Sequence, residues 1–300
     1  MKKKLAVFLV VLIFFSSTVL AITNYLFVVG PERVVRTFKE QQTLLKESQR
    51  EKNAQVFLDN LDLYLLYARA SDYIYKKDSQ RELEKIFPTY DFSISSYEKN
   101  CLKIAVGFNH TSKRTLVIFR GTVPTCSSNW IAHVTHGAFG NSELYENARR
   151  FIEDEVMKKE YSNYSVVFVG HSLGGGLAIN NGVYFGSSDV YTFNTAFPNS
   201  FGVEAAQLNK YWKLKEKKPS RPQITNFVVE GDEVAGKALF TFYGLLGDTY
   251  MLFHTDVPAR QWLDHSASEV IYKLEEVSLW SSEDIKDFGR DSYIGKKMTF

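Results

Sequence analysis

The chain has 300 residues, 45% hydrophobic and 15% aromatic, which suffices for one large or two ordinary domains with a packed core. Its net charge of +2 gives no global argument for nucleic-acid binding, and no nucleic-acid partner is expected. Two cysteines, Cys101 and Cys126, without a Cys-x-x-Cys pair, speak against a zinc site. They could form one disulfide outside the cytoplasm.

The amino terminus, "MKKKLAVFLVVLIFFSSTVLA", has a basic start, an apolar core and small residues at its end. That is the layout of a secretory signal. Apolar character resumes at "ITNYLFVV", so Leu5 to Val29 is also long enough to span a bilayer as an uncleaved anchor. Either reading of residues 1–29 places the rest of the chain outside the cytoplasm, as a secreted, periplasmic or anchored protein. Residues 30–54 read as a helical or linker segment. The main domain is expected over 55–280, and 281–300 as a polar tail.

Residues 31–85 read as helical, and Phe57, Leu61, Tyr64, Leu65 and Ala68 fall on one helical face. Two strands follow, "LKIAVG" at 102–107 and "TLVIFR" at 115–120, joined by the turn "FNHTSKR". "ELYENARRFIEDEVMKKEY" is a further amphipathic helix. A strand at 165–169 runs into glycines and a helix. Strands at 190–194 and 224–230 come next, then apolar stretches at 239–246 and 250–253, then a helix near 266–277. Strands alternating with helices imply a mainly parallel sheet covered by helices. The basic, aromatic segment 208–222 reads mainly as a solvated insertion, with membrane-surface contact as the alternative.

One junction carries chemistry. Gly170-His171-Ser172-Leu173-Gly174 is a G-x-S-x-G sequence between an apolar strand and a helix. A tight strand–turn–helix elbow presents a serine to substrate and needs small neighbours, here Gly170 and Gly174. A serine also needs a base. In this architecture an acid follows the serine and a histidine follows the acid. Asp232 lies just past the strand "ITNFVVE", at the carboxyl end where ligands collect, with Glu230 and Glu233 as flanking alternatives. Asp189 precedes its strand and so lies at the wrong end. Of the two later histidines, His265 at a loop-to-helix junction is favoured over His254 within an apolar stretch. The His171 side chain is expected to turn away from the serine. The backbone N–H of Leu173 and the Thr122 main chain or hydroxyl are the expected oxyanion donors. Arg120 is expected in a structural ion pair beneath them.

"LVIFRGT", "NWIAHVTHGAF", "VVFVGHSLGGGLA", "VYTFN", "FVVEGDEV" and the late "DHS" resemble the class 3 lipases, over about residues 55–275. The resemblance implies an α/β-hydrolase fold and hydrolysis of carboxylic esters, lipid esters above all, without a cofactor or metal. It also implies Ser172 as nucleophile, Asp232 as acid, His265 as base and Thr122 at the oxyanion. Only about a dozen residues separate Thr122 from His136, so no large lid is expected between them. His133, and "TFNTAFPNS" in place of the usual glycine-rich loop, depart from the pattern in the manner of a bacterial branch. The same triad would also serve an acyltransferase, and a binding protein with an inactive site is the remaining alternative.

Overall fold

The computed structural model describes residues 55–97, 101–123, 143–186, 189–196, 222–229, 232, 234, 248–252 and 265–278. The segments 1–29, 30–54 and 281–300 lie outside these residues, as do His133, His136, Glu230, Glu233, His254 and all of 208–222 except Pro222. No helix among the described residues is long and apolar enough to cross a membrane.

Seven strands form one sheet in chain order: β1 (Asp91–Tyr97), β2 (Leu102–Asn109), β3 (Arg114–Phe119), β4 (Ser165–His171), β5 (Asp189–Phe193), β6 (Gln223–Val229) and β7 (Asp248–Leu252). The first three pair antiparallel, and β3 to β7 are parallel throughout. Described helices are α1 (Leu61–Tyr73), α2 (Ser79–Ile86), α3 (Glu143–Glu155), α4 (Leu173–Phe185) and α5 (Ala267–Ser278). The expected α/β-hydrolase-like fold, with a mainly parallel sheet, is what forms.

The central strand explains the layering. In β4 the side chains of Val167 and Val169 join one core cluster, and those of Val166 and Phe168 join the other. Successive side chains point to opposite faces of a strand, so an uninterrupted apolar run means burial on both sides. One face packs against α1, α2 and α5, and the other against α3 and α4. The Arg69–Glu275 pair, 2.7 Å apart, links α1 to α5 at the surface. Both side chains are more than a third exposed, so the link adds little stability.

Strand β1 was not expected from the sequence. Its residues "DFSISSY" alternate with serine and carry little apolar signal, yet Phe92 is buried where Gly107 opposite it leaves room for the ring. The predicted helix over 143–161 stops at Glu155, and Lys159–Tyr161 forms a 3-10 turn instead. Cys101 is disulfide-bonded, and the chain contains one other cysteine, Cys126.

Candidate active site

β4 ends at His171 and α4 begins at Leu173, leaving a single residue for the reversal. Ser172 occupies it with φ 56° and ψ −128°, a conformation few residues adopt. Such backbone costs about 1–3 kcal/mol and persists only where its surroundings hold it. Here Ser172 N–H donates to the Phe193 carbonyl at 3.1 Å, and the Ser172 carbonyl accepts from Gly175 and Ala196, each at 3.0 Å.

The elbow glycines are required by space. A Cβ on Gly170 would sit 2.2 Å from the Gly174 carbonyl, and one on Gly174 would sit 2.2 Å from the Phe119 carbonyl. Both obstacles are backbone, which cannot swing aside. We expect Gly170→Ala to destabilise the protein by about 1–3 kcal/mol or more, as overpacking does, measured by urea unfolding. A midpoint equal to wild type would refute this account of the turn.

Ser172 Oγ lies 2.7 Å from His265 Nε2, and His265 Nδ1 lies 2.6 Å from Asp232 Oδ2. The structure thus brings together three residues spread over 93 positions between Ser172 and His265. Asp232 sits just past β6, its amide bonded to the Val229 carbonyl at 3.1 Å, with its side chain wholly buried. His265 sits two residues before α5, with about a third of its side chain exposed. A carboxylate only accepts, so His265 carries its proton on Nδ1 and its free Nε2 accepts from the serine hydroxyl.

A cavity of about 490 Å³ opens over these groups, lined by Tyr75, Thr122, Ser172, Val234 and His265 among others. Thr122 therefore borders the same space as the serine. Leu173 is the first residue of α4, where backbone N–H groups are not used by the helix. A helix start also favours negative charge. Asp189 opens β5 at the opposite end from Asp232, as its sequence position implied. His110, which precedes the serine in the chain, contacts the Tyr164 hydroxyl at 2.9 Å.

Among the described residues Arg120 makes no ion pair, and its guanidinium donates to the Cys101 carbonyl at 2.9 Å. The His171 ring, expected to turn away from the serine, has neither nitrogen bonded to Ser172, yet it lines the same cavity, 5.1 Å between centroids from that of His265. Its Nε2 is 2.6 Å from the His265 carbonyl, and its Nδ1 is 3.1 Å from the Tyr75 hydroxyl. Sequence reasoning missed Tyr75 entirely. Nothing in "DYIYKK" distinguishes it from the neighbouring tyrosine.

Burial, and next the nearby His265, push the His171 pKa down to about 3. Unfolded, the same imidazole titrates near 6.5. Between those values the unfolded chain binds a proton that the folded chain refuses, so stability falls as pH falls. Above pH ~6.5 both states are neutral and His171 adds no slope. Below it, the slope attributable to this residue approaches about 1.4 kcal/mol per pH unit. Urea unfolding from pH 7 to 4 should show this decline, and His171→Gln should flatten it. An unchanged slope in the variant would sink the assignment.

No group of three His, Cys, Asp or Glu side chains among the described residues converges as a metal site requires.

A family model described as a Tle-like phospholipase domain, of phospholipase-like type, matches residues 65–237. No curated protein matches the chain. Among solved structures, Lip2 lipase from Yarrowia lipolytica is similar at 15% identity, with 65% of this chain and 79% of that one covered and a TM-score of 0.45. Lipase from Rhizopus microsporus var. chinensis is similar at 15% identity, covering 76% and 86%, with a TM-score of 0.45. Lipase II from Rhizopus niveus is similar at 13% identity, covering 67% and 83%, with a TM-score of 0.42.

Proposed function

The chain belongs to the Tle-like phospholipase family, and from that premise we propose that it hydrolyses lipid esters through Ser172, His265 and Asp232. The observation that carries the reading is the continuous line Ser172 Oγ, His265 Nε2, His265 Nδ1, Asp232 Oδ2, with contacts of 2.7 and 2.6 Å. In the proposed reaction Ser172 Oγ attacks the acyl carbon while its proton passes to His265 Nε2. Asp232 keeps the imidazole in the tautomer that can accept this proton and stabilises the imidazolium. Leu173 N–H and Thr122 hold the developing oxyanion. His265 then gives its proton to the departing alkoxide. Water repeats the sequence on the acyl-enzyme and frees Ser172. Every proton moves through His265, and no other group is required to change its charge.

An extracytoplasmic site of action is part of the proposal. It is supported by the signal-like or anchor-like start and by the disulfide at Cys101, since oxidising compartments sustain such bonds.

The test is labelling of the purified protein by a fluorophosphonate, with the modified residue mapped, beside hydrolysis of esters from short to long acyl chains and of phospholipid vesicles. Labelling at Ser172 together with release of fatty acid is expected. Absence of both would overturn the proposal.

A further inference from the structure

The groups between Tyr75 and His265 admit only one pattern of protons. The His265 carbonyl can only accept, so His171 Nε2, 2.6 Å away, must carry the imidazole proton. Burial keeps the ring neutral, so His171 Nδ1 is a bare acceptor and the Tyr75 hydroxyl at 3.1 Å must donate to it. The Tyr75 oxygen in turn packs against Gly121, where it fills the space a Cβ would need. Burial above all keeps the Tyr75 hydroxyl protonated, with its pKa raised above the usual tyrosine range. The result is a directed chain from the Tyr75 O–H to His171 and from the His171 N–H to the His265 carbonyl, with Gly121 packed against the Tyr75 oxygen.

We infer that Tyr75 and His171 are positioning residues, which lock the loop bearing Thr122 and the loop bearing His265 to the end of β4. The inference rests on the hydrolase reading of the site. Its geometry is specific. His171 is the last residue of β4 and is paired in register with Phe193 of β5, so its main chain is fixed by the sheet. Gly121 immediately precedes Thr122, and His265 bears the base. Both loops are irregular at these points, and neither Thr122 nor His265 has a strand to hold it. The chain supplies that hold from a third direction, because Tyr75 lies just past the end of α1.

The choice of residue types follows. The ring at position 171 must stay uncharged, because His265 acquires a proton in each half-reaction only 5.1 Å away, centroid to centroid. A lysine or arginine there would repel the imidazolium. Gly121 must be small, since a Cβ would sit 2.3 Å from the Tyr75 hydroxyl and 2.5 Å from the His171 carbonyl. Neither Tyr75 nor His171 is assigned contact with the reacting atoms. Their effect is on where the Thr122 and His265 groups stand.

The experiment compares wild type with Tyr75→Phe, His171→Gln and His171→Phe. It reads kcat and KM on a soluble short-chain ester, the fluorophosphonate labelling rate, and Tm. Misplacing reacting groups costs rate rather than ground-state affinity, so Tyr75→Phe should lower kcat by about 10- to 100-fold, with KM within about twofold. Labelling should slow in parallel. Glutamine keeps an N–H for the His265 carbonyl, so His171→Gln should retain at least about tenfold more kcat than His171→Phe. If folded Tyr75→Phe and His171→Phe keep kcat within about threefold of wild type, the positioning role is wrong.

Nitrogen-15 NMR of histidine-labelled wild type gives a reading that needs no variant. His171 should appear as the single tautomer protonated at Nε2, and the opposite tautomer would overturn the chain even if every variant failed to fold. Wild type that shows this tautomer yet neither labels nor hydrolyses would instead overturn the hydrolase reading on which the role depends.

Discussion

Ser172→Ala is expected to lower ester hydrolysis by about 10⁴-fold or more while the protein stays folded. The fold should tolerate the change because alanine keeps the Cβ that already sits in the strained turn. The hydroxyl's contact with His265 is lost, at a stability cost of about 1 kcal/mol. The rate should collapse because the hydroxyl that His265 Nε2 deprotonates, 2.7 Å away, is gone. What remains should come from the oxyanion donors acting on water. Kinetics on a soluble ester, beside Tm and fluorophosphonate labelling, check this. A variant within tenfold of wild type would move the nucleophile away from residue 172.

Asp232→Asn should be nearly as damaging, with a fall in kcat of about 10⁴-fold and little change in KM. The reason is a proton in the wrong place. Asp232 has no exposed side-chain surface and faces His265 Nδ1 at 2.6 Å. An amide there can present its NH₂ to the imidazole and leave Nδ1 as an acceptor. His265 would then carry its proton on Nε2, pointed at a serine hydroxyl that needs to lose one. Substrate should still bind, since the cavity walls and the proposed oxyanion donors are unchanged. If Asp232→Asn retains a tenth or more of wild-type kcat, the acid is elsewhere, and Glu230 and Glu233 become the next variants to make.

Much of this site is legible in the chain because its parts are local. The elbow needs a strand, a turn and a helix within about twenty residues, and each leaves its own mark: apolar β4, the glycines, and the start of α4. Asp232 and His265 are readable because each sits where an element ends or begins, after β6 and before α5. Strands β2 to β6 are readable because the sheet is buried on both faces, which forces runs of apolar residues. β1 hides because it is an edge strand with serines at positions 93, 95 and 96. The link between Tyr75 and His171 hides for a different reason. It joins side chains 96 positions apart, and one hydroxyl meeting one imidazole produces no periodicity.

The neighbour order of the sheet is the order of the chain, β1 through β7. Each new strand can therefore add to the one made just before it, with no earlier gap to fill. Catalytic competence does not arrive in that gradual way. The elbow is complete once β4, α4 and β5 are made, but His265 comes 93 residues after Ser172. From the end of β5 at Phe193 to His265, ordinary ribosomal speeds of 5–20 residues per second give about 4–14 s of synthesis with a nucleophile and no base. A chain truncated anywhere between β5 and His265 would carry the serine in place and remain inert toward lipid. Activity toward lipid esters thus waits for His265, long after the residue that attacks them has been made.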